Sequence, residues 1–578
     1  MTAERLDAYH FYEEEWKSYE QLRESFEWEV PERFNTAAYV CDRWADDKGR
    51  VAVFAEHADG RTETHTFWQL RNATNRLANH LRERGVERGD RVGVNTPQRV
   101  ETVVAHVACW KLGAVSVPLS TLFGPDAIAY RLDDADAVAA VVDASNLEDF
   151  REANDTLDLE TVLTVGEADV SDAHSGGASA DVDAAEVGGG EADLWEAIAD
   201  QPREFEVVDT AAEDDAIIIY TSGTTGDPKG VRHAHRLLLG NIPLFLTSFC
   251  NVALEAGDVF WTPAEWAWIA SLYDVVFPGL FYGKPIVAYN GGAFDPENAF
   301  RIIETYGVSN FFAPPTALRM MTQVDEERAA GYAVDTIRTI ASGGESLGQD
   351  VVEWAAETFG GAAVHEGYGQ TEANMLVGDC TSLLEFREGT MGKAGPGHEV
   401  TIVDPETAEP TVDPGEIGEI AVRYEGNPVC FTEYWNKPEA TAEKVQNGWL
   451  LTEDLGSMDE DGYVAFESRK DDVIISAGYR IGPVEVEESL AGHDAVADAA
   501  VIGVPDEERG EVPKAFVVRA AAYEDADEES LRESLRQHVR DRLAQYEYPR
   551  EIEFVEDLPK TSTGKVRRAS LRKREGLD

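Results

Sequence analysis

The stretch AIIIYTSGTTGDPKG, residues 216–230, decides the fold class of this chain. Its first five residues form an apolar run that is typical of a buried strand. The run leads directly into a Ser/Thr/Gly-rich loop that reaches Lys229 and does not match the Walker pattern. Small residues let backbone N–H groups approach an anion, hydroxyls add donors, and a lysine adds a point charge. An ordinary surface loop is the alternative, but this combination favours binding of nucleotide phosphates.

Helical and β-rich patterns alternate on the N-terminal side of this stretch. A helical pattern at 67–85 and short β-rich runs at 92–94 and 115–118 indicate layers of helices on a sheet of mostly parallel strands. Gly, Ala and Asp dominate about residues 166–200, where large apolar side chains are scarce. That segment is therefore predicted to be an acidic surface loop.

The pattern restarts as a more compact region after Arg469. Strand-like runs there alternate with helical patterns at 483–491 and 528–543. The fold class is therefore α/β, with a large N-terminal domain of layered subdomains, residues 1–470. A small α+β C-terminal domain, residues 471–578, follows.

The composition is strongly acidic, with 110 Asp and Glu against 50 Lys and Arg and a net charge of −60. A chain of 578 residues with 43% hydrophobic residues can build large cores, which excludes a small stapled scaffold and wholesale disorder. The charge repels phosphate backbones and anionic lipids, so nucleic acid and membranes are poor candidate partners. Only 13 of the basic residues are lysines, a balance similar to that of proteins from salt-loving cells. A merely acidic mesophilic enzyme is the alternative.

Cysteine usage and the N-terminus indicate a cytoplasmic protein. The five cysteines are odd in number and far apart, which argues against a disulfide framework or a zinc site. The N-terminus, MTAER, lacks the apolar segment of a signal peptide, and no apolar run approaches the ~20 residues of a bilayer span.

Further motifs follow the phosphate-binding loop in a characteristic order. They are SGGES (342–346), EGYGQTE (366–372), Trp449 with Asp454, the run from Arg469 to Arg480, and PKTSTGK (559–565). Together with residues 220–230 they resemble the adenylate-forming superfamily of acyl-CoA synthetases, aryl-CoA ligases, luciferases and peptide-synthetase adenylation domains. The resemblance covers most of the chain.

The resemblance implies a set of ATP-binding residues. They are Thr221, Ser222, Gly223, Thr224, Thr225, Gly226, Lys229, Gly344, Glu345, Ser346, Glu366, Gly367, Tyr368, Gly369, Gln370, Thr371, Asp454, Arg469, Arg480 and Lys565. The loop from Thr221 to Lys229 would hold the β- and γ-phosphates, Thr371 the α-phosphate and Glu372 a Mg²⁺ ion. Gly344, Glu345 and Ser346 would border the adenine, with Tyr368 stacked on it.

Asp454 would accept the ribose hydroxyls, but its surroundings depart from the family pattern. The family usually has Thr-Gly-Asp, whereas this chain has Thr452-Glu453-Asp454, and Ser468 replaces the usual glycine before Arg469. A missing glycine removes backbone freedom and puts the local geometry in question.

The C-terminal motifs imply a domain rotation. Lys565 would be catalytic, with Thr371 and Glu372, by bridging the substrate carboxylate and the α-phosphate. Asp471 would be the hinge that alternates between presenting Lys565 and presenting Ala477, Gly478 and Tyr479, which line a channel for the thiol arm. Arg480 would contact a phosphate of ATP or CoA.

The segment after Ser476 resembles medium-chain acyl-CoA synthetases most closely. The CoA-binding residues implied by that resemblance are Ala477, Gly478, Tyr479, Arg480, Arg509, Arg540 and Tyr548. Gly369 stands where acetate-specific relatives have a Trp, so a longer acyl chain is expected, and Trp268 would be a pocket wall. The predicted substrates are ATP, CoA and a short- to medium-chain or branched carboxylic acid.

Three alternatives to this function stay open. The first is an acetyl- or propionyl-CoA synthetase, because Trp268 could restrict chain length. The second is a ligase that loads an acyl-carrier protein. The third is a non-catalytic nucleotide-binding relative, which the presence of both Lys229 and Lys565 disfavours.

Overall fold

The computed structural model describes most of the chain. The described residues are 3–157, 159–166, 191–221, 228–344, 347–411, 413–470, 472–476, 479–506, 509–523, 526–540, 542–543, 547–560 and 566–577. Within these ranges the side chains of residues 475, 479, 480, 485 and 510 are not described.

The chain divides into two compact units. The large unit comprises Met1–Phe386, Gly395–His398 and Gly426–Glu443. The small unit comprises Arg387–Ala394, Glu399–Glu425 and Lys444–Asp578. The small unit thus includes segments before residue 470, and the domain boundary at 470/471 stays a prediction.

The strands are numbered in chain order. They are β1 (Val51–His57), β2 (Thr62–Thr66), β3 (Arg91–Asn95), β4 (Val115–Pro118), β5 (Ala137–Asp143), β6 (Thr161–Val165), β7 (Glu191–Asp193), β8 (Asp215–Thr221), β9 (Lys229–Ala234), β10 (Phe260–Trp261), β11 (Ile286–Asn290), β12 (Asn310–Phe312), β13 (Thr339–Gly343), β14 (Ala363–Gln370), β15 (Asn374–Gly378), β16 (Lys393–Ala394), β17 (Val400–Val403), β18 (Gly418–Arg423), β19 (Glu433–Tyr434), β20 (Val445–Gln446), β21 (Trp449–Met458), β22 (Val464–Arg469), β23 (Ile474–Ser476), β24 (Tyr479–Ile481), β25 (Val496–Asp506), β26 (Gly510–Arg519) and β27 (Glu551–Val555).

The α-helices are numbered in the same way. They are α1 (Tyr19–Ser25), α2 (Thr36–Val40), α3 (Phe67–Glu83), α4 (Val100–Leu112), α5 (Pro125–Asp134), α6 (Leu147–Leu157), α7 (Leu194–Ile198), α8 (Leu237–Leu244), α9 (Ile269–Ser271), α10 (Phe277–Phe281), α11 (Pro296–Tyr306), α12 (Pro315–Met321), α13 (Glu326–Ala329), α14 (Gln349–Thr358), α15 (Pro438–Lys444), α16 (Pro483–Ala491), α17 (Glu528–Arg540) and α18 (Arg568–Arg574). Two π-helical turns, Phe245–Phe249 and Leu272–Val276, interrupt the helices of the large unit.

Two mostly parallel sheets form the large unit. The first runs in the order β15-β14-β13-β12-β10-β11-β1-β2, and the second in the order β19-β9-β8-β4-β3-β5-β6-β7. Strand β8 pairs in parallel with β4 and antiparallel with β9. The apolar run of β8 is fully buried, as its composition predicts.

Local sequence explains the helix predicted at 67–85. Helix α3 spans Phe67–Glu83, and its first turn is closed by a capping box in which Thr66 and Gln69 satisfy each other's backbone N–H groups. The helix predicted at 528–543 is α17, which spans Glu528–Arg540 in the described residues.

The small unit carries mostly antiparallel sheets. One runs β17-β18-β21-β20, with β22 on β21, and the other runs β24-β23-β26-β25, with β27 on β26. The second sheet packs on α16 and α17 through a core that includes Ile474, Val501, Val517 and Leu535. An α+β C-terminal region beside a larger α/β region is the predicted fold class, and it is confirmed.

Two absences can be stated for the part of the chain that the structure describes. No helix there is long and apolar enough to cross a membrane. All five cysteines lie in that part, are buried, and form no disulfide.

Candidate active site

The ends of the phosphate-binding loop lie on two paired strands. Thr221 ends β8 and Lys229 begins β9, and the two residues are direct partners in the antiparallel register. Tyr130 Oη donates to the carbonyl of Pro228 at 2.9 Å, which anchors the second end of the loop. The loop thus connects two adjacent strands of the second sheet. Its residues 222–227 lie outside the described residues.

A tyrosine that the sequence analysis missed links Lys229 to Glu372. Tyr434 Oη donates a hydrogen bond of 2.5 Å to Glu372 Oε1, and the Lys229 ammonium lies 5.0 Å from the centre of the same ring. Glu372 is 8% exposed, and its carbonyl accepts the N–H of Phe431 at 2.7 Å. The strand pair β19–β9 therefore brings together a cation and a carboxylate that are distant in sequence.

The neighbouring Thr371 is held by its main chain. Nε2 of His233, on β9, donates to the Thr371 carbonyl at 2.7 Å. Burial lowers the pKa of His233 to about 3, so the ring is neutral and its Nε2 carries the proton. Two side chains of the second sheet, those of His233 and Tyr434, thus fix the residues that follow β14 of the first sheet.

Glycines let β13 and β14 approach closely at the predicted adenine site. A Cβ atom at Gly343 would lie 2.4 Å from the Gly367 carbonyl oxygen, and Gly344 has a φ of +95°. The Glu366 carboxylate accepts the N–H of Leu347 at 2.7 Å, so β14 is tied to the backbone at Leu347. Tyr368 is buried on the same strand.

Glycine is also required at position 369, for a steric reason. A Cβ atom there would lie 1.4 Å from the carbonyl oxygen of Asn374, the first residue of β15. Asn374 itself has a φ of +41°. The space that a side chain at 369 would need is thus filled by backbone, and the assignment of Gly369 to an acyl pocket stays a prediction.

The segment that carries Trp268 is tied to the loop after β4. The Glu265 carboxylate accepts hydrogen bonds from Ser120 Oγ and Thr121 N, each at 2.7 Å. The Trp268 ring meets Phe123 edge to face, with ring centres 6.4 Å apart. Trp268 is half-buried, as a wall residue would be, although an ordinary packing role fits the same contact.

In the small unit, Asp454 and Arg469 are partners across β21 and β22. Arg469 Nη1 donates to Asp454 Oδ1 at 3.1 Å, and Asp454 is 5% exposed. Arg469 Nη2 also donates to Glu453 Oε2 at 3.3 Å. The predicted ribose-binding carboxylate therefore has a fixed cationic neighbour.

Glu453, which replaces the family's glycine, adopts a left-handed backbone with a φ of +64°. Its N–H donates to Glu419 Oε1 at 2.8 Å, and its carbonyl accepts the N–H of Lys470, also at 2.8 Å. Its carboxylate pairs with Lys444 at 3.4 Å and with Arg469. The backbone conformation open to glycine is thus kept despite the side chain, which answers the question raised by the missing glycine.

Two of the three described CoA-binding candidates contact each other. The Arg540 guanidinium lies 3.9 Å from the centre of the Tyr548 ring, and Arg550 lies 4.6 Å from the same ring. The hydrogen bond with Tyr548 raises the pKa of Arg540. Arg509 precedes Gly510, which pairs with Ser476 just before the predicted thiol channel.

Several predicted site residues cannot be placed. Those outside the described residues are Ser222, Gly223, Thr224, Thr225, Gly226, Glu345, Ser346, Asp471, Ala477, Gly478 and Lys565. Only the backbone of Tyr479 and Arg480 is described, in β24. Lys560 and Val566, the described residues on either side of 561–565, form an antiparallel bridge.

Comparisons with known proteins agree with these motifs. The sequence model of the AMP-binding enzyme family matches residues 41–435, and that of the AMP-binding enzyme C-terminal domain matches residues 485–565. The chain is 33% identical over 573 residues to the mitochondrial acyl-coenzyme A synthetase ACSM3 of Mus musculus, covering 96% of this chain and 93% of that protein. It is also 33% identical over 571 residues to the acetyl-coenzyme A synthetase of Bacillus subtilis (strain 168), covering 96% and 95%. The crystal structure of the anthranilate CoA ligase AuaEII in complex with anthranoyl-AMP superposes with a TM-score of 0.82 at 28% identity, covering 95% and 98%.

Proposed function

The chain belongs to the AMP-binding enzyme family and is an AMP-forming acyl-CoA synthetase, and from this premise we propose that it activates a short- to medium-chain or branched carboxylic acid. Its small-molecule partners are ATP, CoA and a carboxylate. The observation that carries the proposal is the Lys229–Tyr434–Glu372 arrangement, which sets a cation and an anion beside the phosphate-binding loop.

The reaction has two group transfers. First, a carboxylate oxygen bonds to the α-phosphorus of ATP. The bond between this phosphorus and the oxygen that bridges to the β-phosphate breaks, which releases pyrophosphate. Second, the CoA sulfur bonds to the acyl carbon while the bond between that carbon and the AMP oxygen breaks. AMP leaves with this oxygen, and the thiol proton passes to solvent. The obstacle in the first step is that two anions must meet, so cations must neutralise them.

We assign that neutralisation to side chains on both sides of the predicted site. Lys229 and the loop from Thr221 would hold the β- and γ-phosphates, and Thr371 the α-phosphate. The His233 and Tyr434 hydrogen bonds fix the backbone and carboxylate of residues 371 and 372 before ATP arrives, which avoids a cost of ordering during the reaction.

Glu372 is suited to Mg²⁺. Mg²⁺ binds proteins through one or two carboxylates and completes its shell with water and phosphate oxygens. Glu372 supplies one carboxylate at the edge of the loop, and the Tyr434 hydrogen bond to Oε1 orients it. Bound there, the ion would neutralise charge on the transferred phosphates.

The ribose and adenine would be held by separate groups. Asp454 would accept the ribose hydroxyls, with Arg469 orienting it. The adenine would lie beside Gly344 and Tyr368, next to the close approach of β13 and β14 at Gly343, and the Glu366 carboxylate ties β14 to Leu347.

We propose that the second step follows a rotation about Asp471. One orientation would bring Lys565 to the carboxylate and the α-phosphate, and the other would bring the channel residues 477–479 to the acyl-adenylate. Arg480, Arg509, Arg540 and Tyr548 would then hold CoA. The stacked Arg540–Tyr548 pair supports this assignment, because it places a cation on an acidic surface that otherwise repels a polyanion.

Acyl length is the part of the proposal that relatives do not decide. The named relatives include an ACSM3 and an acetyl-coenzyme A synthetase at equal identity. Trp268, which meets Phe123 edge to face, would wall the pocket. An acetyl- or propionyl-CoA synthetase and a carrier-protein ligase are the outcomes that the experiment below separates.

The proposed setting is the cytoplasm of a salt-adapted cell. The net charge of −60 and the scarcity of lysine support it. Activity and stability are then expected to fall at low salt, and full activity without added salt would contradict the salt adaptation while leaving the reaction unaffected.

The deciding experiment measures pyrophosphate and AMP with a panel of acids from acetate to decanoate, with CoA present and absent. Pyrophosphate release should depend on the acid, and AMP release on CoA as well, with the best kcat/KM between butyrate and octanoate. AMP release that ignores CoA but responds to a holo-carrier protein would favour the ligase, and ATP binding without pyrophosphate exchange would favour a non-catalytic relative.

A variant tests the rotation. Lys565→Ala should reduce acid-dependent pyrophosphate exchange by about a thousandfold, because the two anions then meet without this cation. It should spare CoA-dependent AMP release from supplied acyl-AMP. Equal loss of both half-reactions would refute the rotation.

A further inference from the structure

A buried aspartate contacts the hairpin formed by β14 and β15, which is called the hairpin below. Thr371 and Glu372 lie between its two strands. Asp274 is 3% exposed in the π-helical turn Leu272–Val276. Its Oδ1 accepts hydrogen bonds from Asn241 Nδ2 at 3.0 Å and Asn374 Nδ2 at 2.8 Å. No cation contacts it among the residues that the structure describes, and burial raises its pKa well above the usual range of an aspartate.

A buried carboxyl of this kind lowers the stability of the fold unless its hydrogen bonds serve a structural or functional role. A buried carboxyl without a cation loses hydration, and an apolar residue of similar size would pack there at lower cost. Single π-helical turns frequently mark functional sites. Asn374 depends on this carboxyl more than Asn241 does, because Asn241 Nδ2 also donates to the Tyr273 carbonyl, whereas Asp274 accepts the hydrogen bond of the buried Asn374 Nδ2.

Asn374 is the partner that matters for the site. It begins β15 with a φ of +41°, a conformation that few residues other than glycine adopt. Its carbonyl oxygen lies where a Cβ atom of Gly369 would be, so its backbone sets how tightly β14 and β15 close. The side-chain bond to Asp274 fixes that backbone from inside the core.

Asp274 also shares a helical segment with the predicted pocket wall. Trp268 caps α9, and the π-helical turn follows directly. Asn241, the other partner, lies on α8, which follows β9 and its Lys229 and His233. The Asp274 carboxyl therefore connects three parts of the large unit: its own segment, which begins at Trp268, the β14–β15 hairpin, and helix α8, which follows β9.

We propose that Asp274 is a positioning residue that sets acyl specificity, by holding Asn374 and through it the Gly369–Glu372 hairpin at a fixed distance from the Trp268 segment. The inference rests on the proposed function, since it places the acyl chain between Trp268 and the hairpin. Without the Asp274–Asn374 hydrogen bond, called the tether below, the hairpin can shift. The acyl chain length that fits the pocket then changes.

The test compares acids in the full-length enzyme. Asp274→Leu removes the acceptor and keeps the branched shape of the side chain. Asn374→Gly removes the amide that bonds to Asp274 and permits the same backbone conformation. Each should change the ratio of kcat/KM between butyrate and octanoate by about tenfold, mainly through KM for the acid, with KM for ATP unchanged. The double variant should change the ratio no more than either single one, because both break one tether.

Two further variants separate positioning from stability. Asp274→Asn keeps an acceptor oxygen. Its ratio of kcat/KM between butyrate and octanoate should therefore stay within about twofold of that of the unsubstituted enzyme. Tyr273→Phe, in the same turn, removes a buried hydroxyl that has no hydrogen-bond partner among the described residues, and it should leave the ratio unchanged.

The outcomes are distinguishable. A lowered melting temperature with an unchanged ratio in Asn374→Gly would overturn the inference and leave Asp274 a structural residue. A changed ratio in Asp274→Leu but not in Asn374→Gly would also overturn it, because the effect would not pass through the tether. An unsubstituted enzyme without CoA-dependent AMP release would instead refute the proposed function.

Discussion

Two strands that carry predicted ATP-binding residues, β14 and β21, meet unusual backbone demands in different ways. In the hairpin of the large unit, a Cβ atom at Gly369 would lie 1.4 Å from a backbone oxygen, so only glycine fits. In β21 of the small unit, Glu453 adopts a φ of +64° with an exposed side chain. A contact between backbones excludes every side chain, whereas a left-handed φ costs about 1–2 kcal/mol that neighbouring interactions can offset.

The offset at Glu453 is visible in its contacts. Glu419 accepts its N–H and the N–H of Lys470 donates to its carbonyl, so the backbone is held from both sides. Lys444 and Arg469 pair with its carboxylate. The hairpin relies instead on buried, mostly neutral groups, which predicts that the two regions differ in their response to pH and salt.

The largest expected effect comes from adding one methyl group to the hairpin. Gly369→Ala should destabilise the large unit by about 3 kcal/mol or more and lower kcat/KM by about a hundredfold, because the strands must separate. Thermal unfolding and pyrophosphate exchange measure both. Gly257→Ala, where a Cβ atom meets nothing within 4 Å, is the matched control. An active Gly369→Ala enzyme of unchanged melting temperature would show that the hairpin tolerates a side chain.

The second prediction concerns a buried acid beside the hairpin. Asp379 is 2% exposed, its Oδ2 accepts the N–H of Glu366 at 3.3 Å, and burial raises its pKa to about 7. An unfolded aspartate has a pKa of about 3.9, so the folded chain keeps a proton that the unfolded chain has lost. The stability conferred by this proton is present at low pH and declines as pH rises toward 7.

Asp379→Asn should remove that decline, which is on the order of 2 kcal/mol between about pH 5 and pH 8. Denaturant unfolding of both proteins across this range measures it. Parallel stability profiles would mean that Asp379 ionises normally, and the contrast between a neutral hairpin and the charged surroundings of Glu453 would fail.

The third prediction separates strain from charge at position 453. Glu453→Ala keeps the left-handed φ and loses the ion pairs, whereas Glu453→Gly loses the ion pairs and relieves the strain. The glycine variant should therefore be more stable than the alanine variant by about 1 kcal/mol. Equal stability of the two, compared by denaturant unfolding, would mean that the backbone at 453 is not strained.

The smallest effect is expected from removing the charge alone. Glu453→Gln should cost about 0.5 kcal/mol at low salt, because the side chain is about half exposed and its ion pairs are screened by solvent. The difference should vanish near ~1 M salt, where the screening length is about 3 Å. Comparing melting temperatures at both salt concentrations measures it, and a deficit that persists in high salt would assign the role to hydrogen bonding.

Much of the candidate site could be predicted because its chemistry is local in sequence. The order of the motifs identified the family, and the helix at 67–83 and strand β8 follow from their own patterns. The contacts that organise the site could not be predicted in this way. Tyr434 meets Glu372, His233 meets Thr371, and Asp274 meets Asn374 across long separations that no spacing reveals.

Position 453 and position 369 show where the division lies. From the sequence alone, one reads as a lost glycine and the other as an opened pocket. The tertiary structure adds the contacts: Glu419, Lys444, Lys470 and Arg469 hold the left-handed backbone at 453, and the Asn374 carbonyl lies where a Cβ atom at 369 would be. The assignment of Gly369 to an acyl pocket stays a prediction.

The sequence by itself determined the family, the α/β fold class and the residue types able to handle phosphate, since each depends on a short run of residues. Only the tertiary structure decided which side chains orient Glu372 and Asp454 and which glycine is indispensable. The physical reason is that hydrogen bonds and close packing act over a few ångströms in space, while the residues that make them are scattered along the chain.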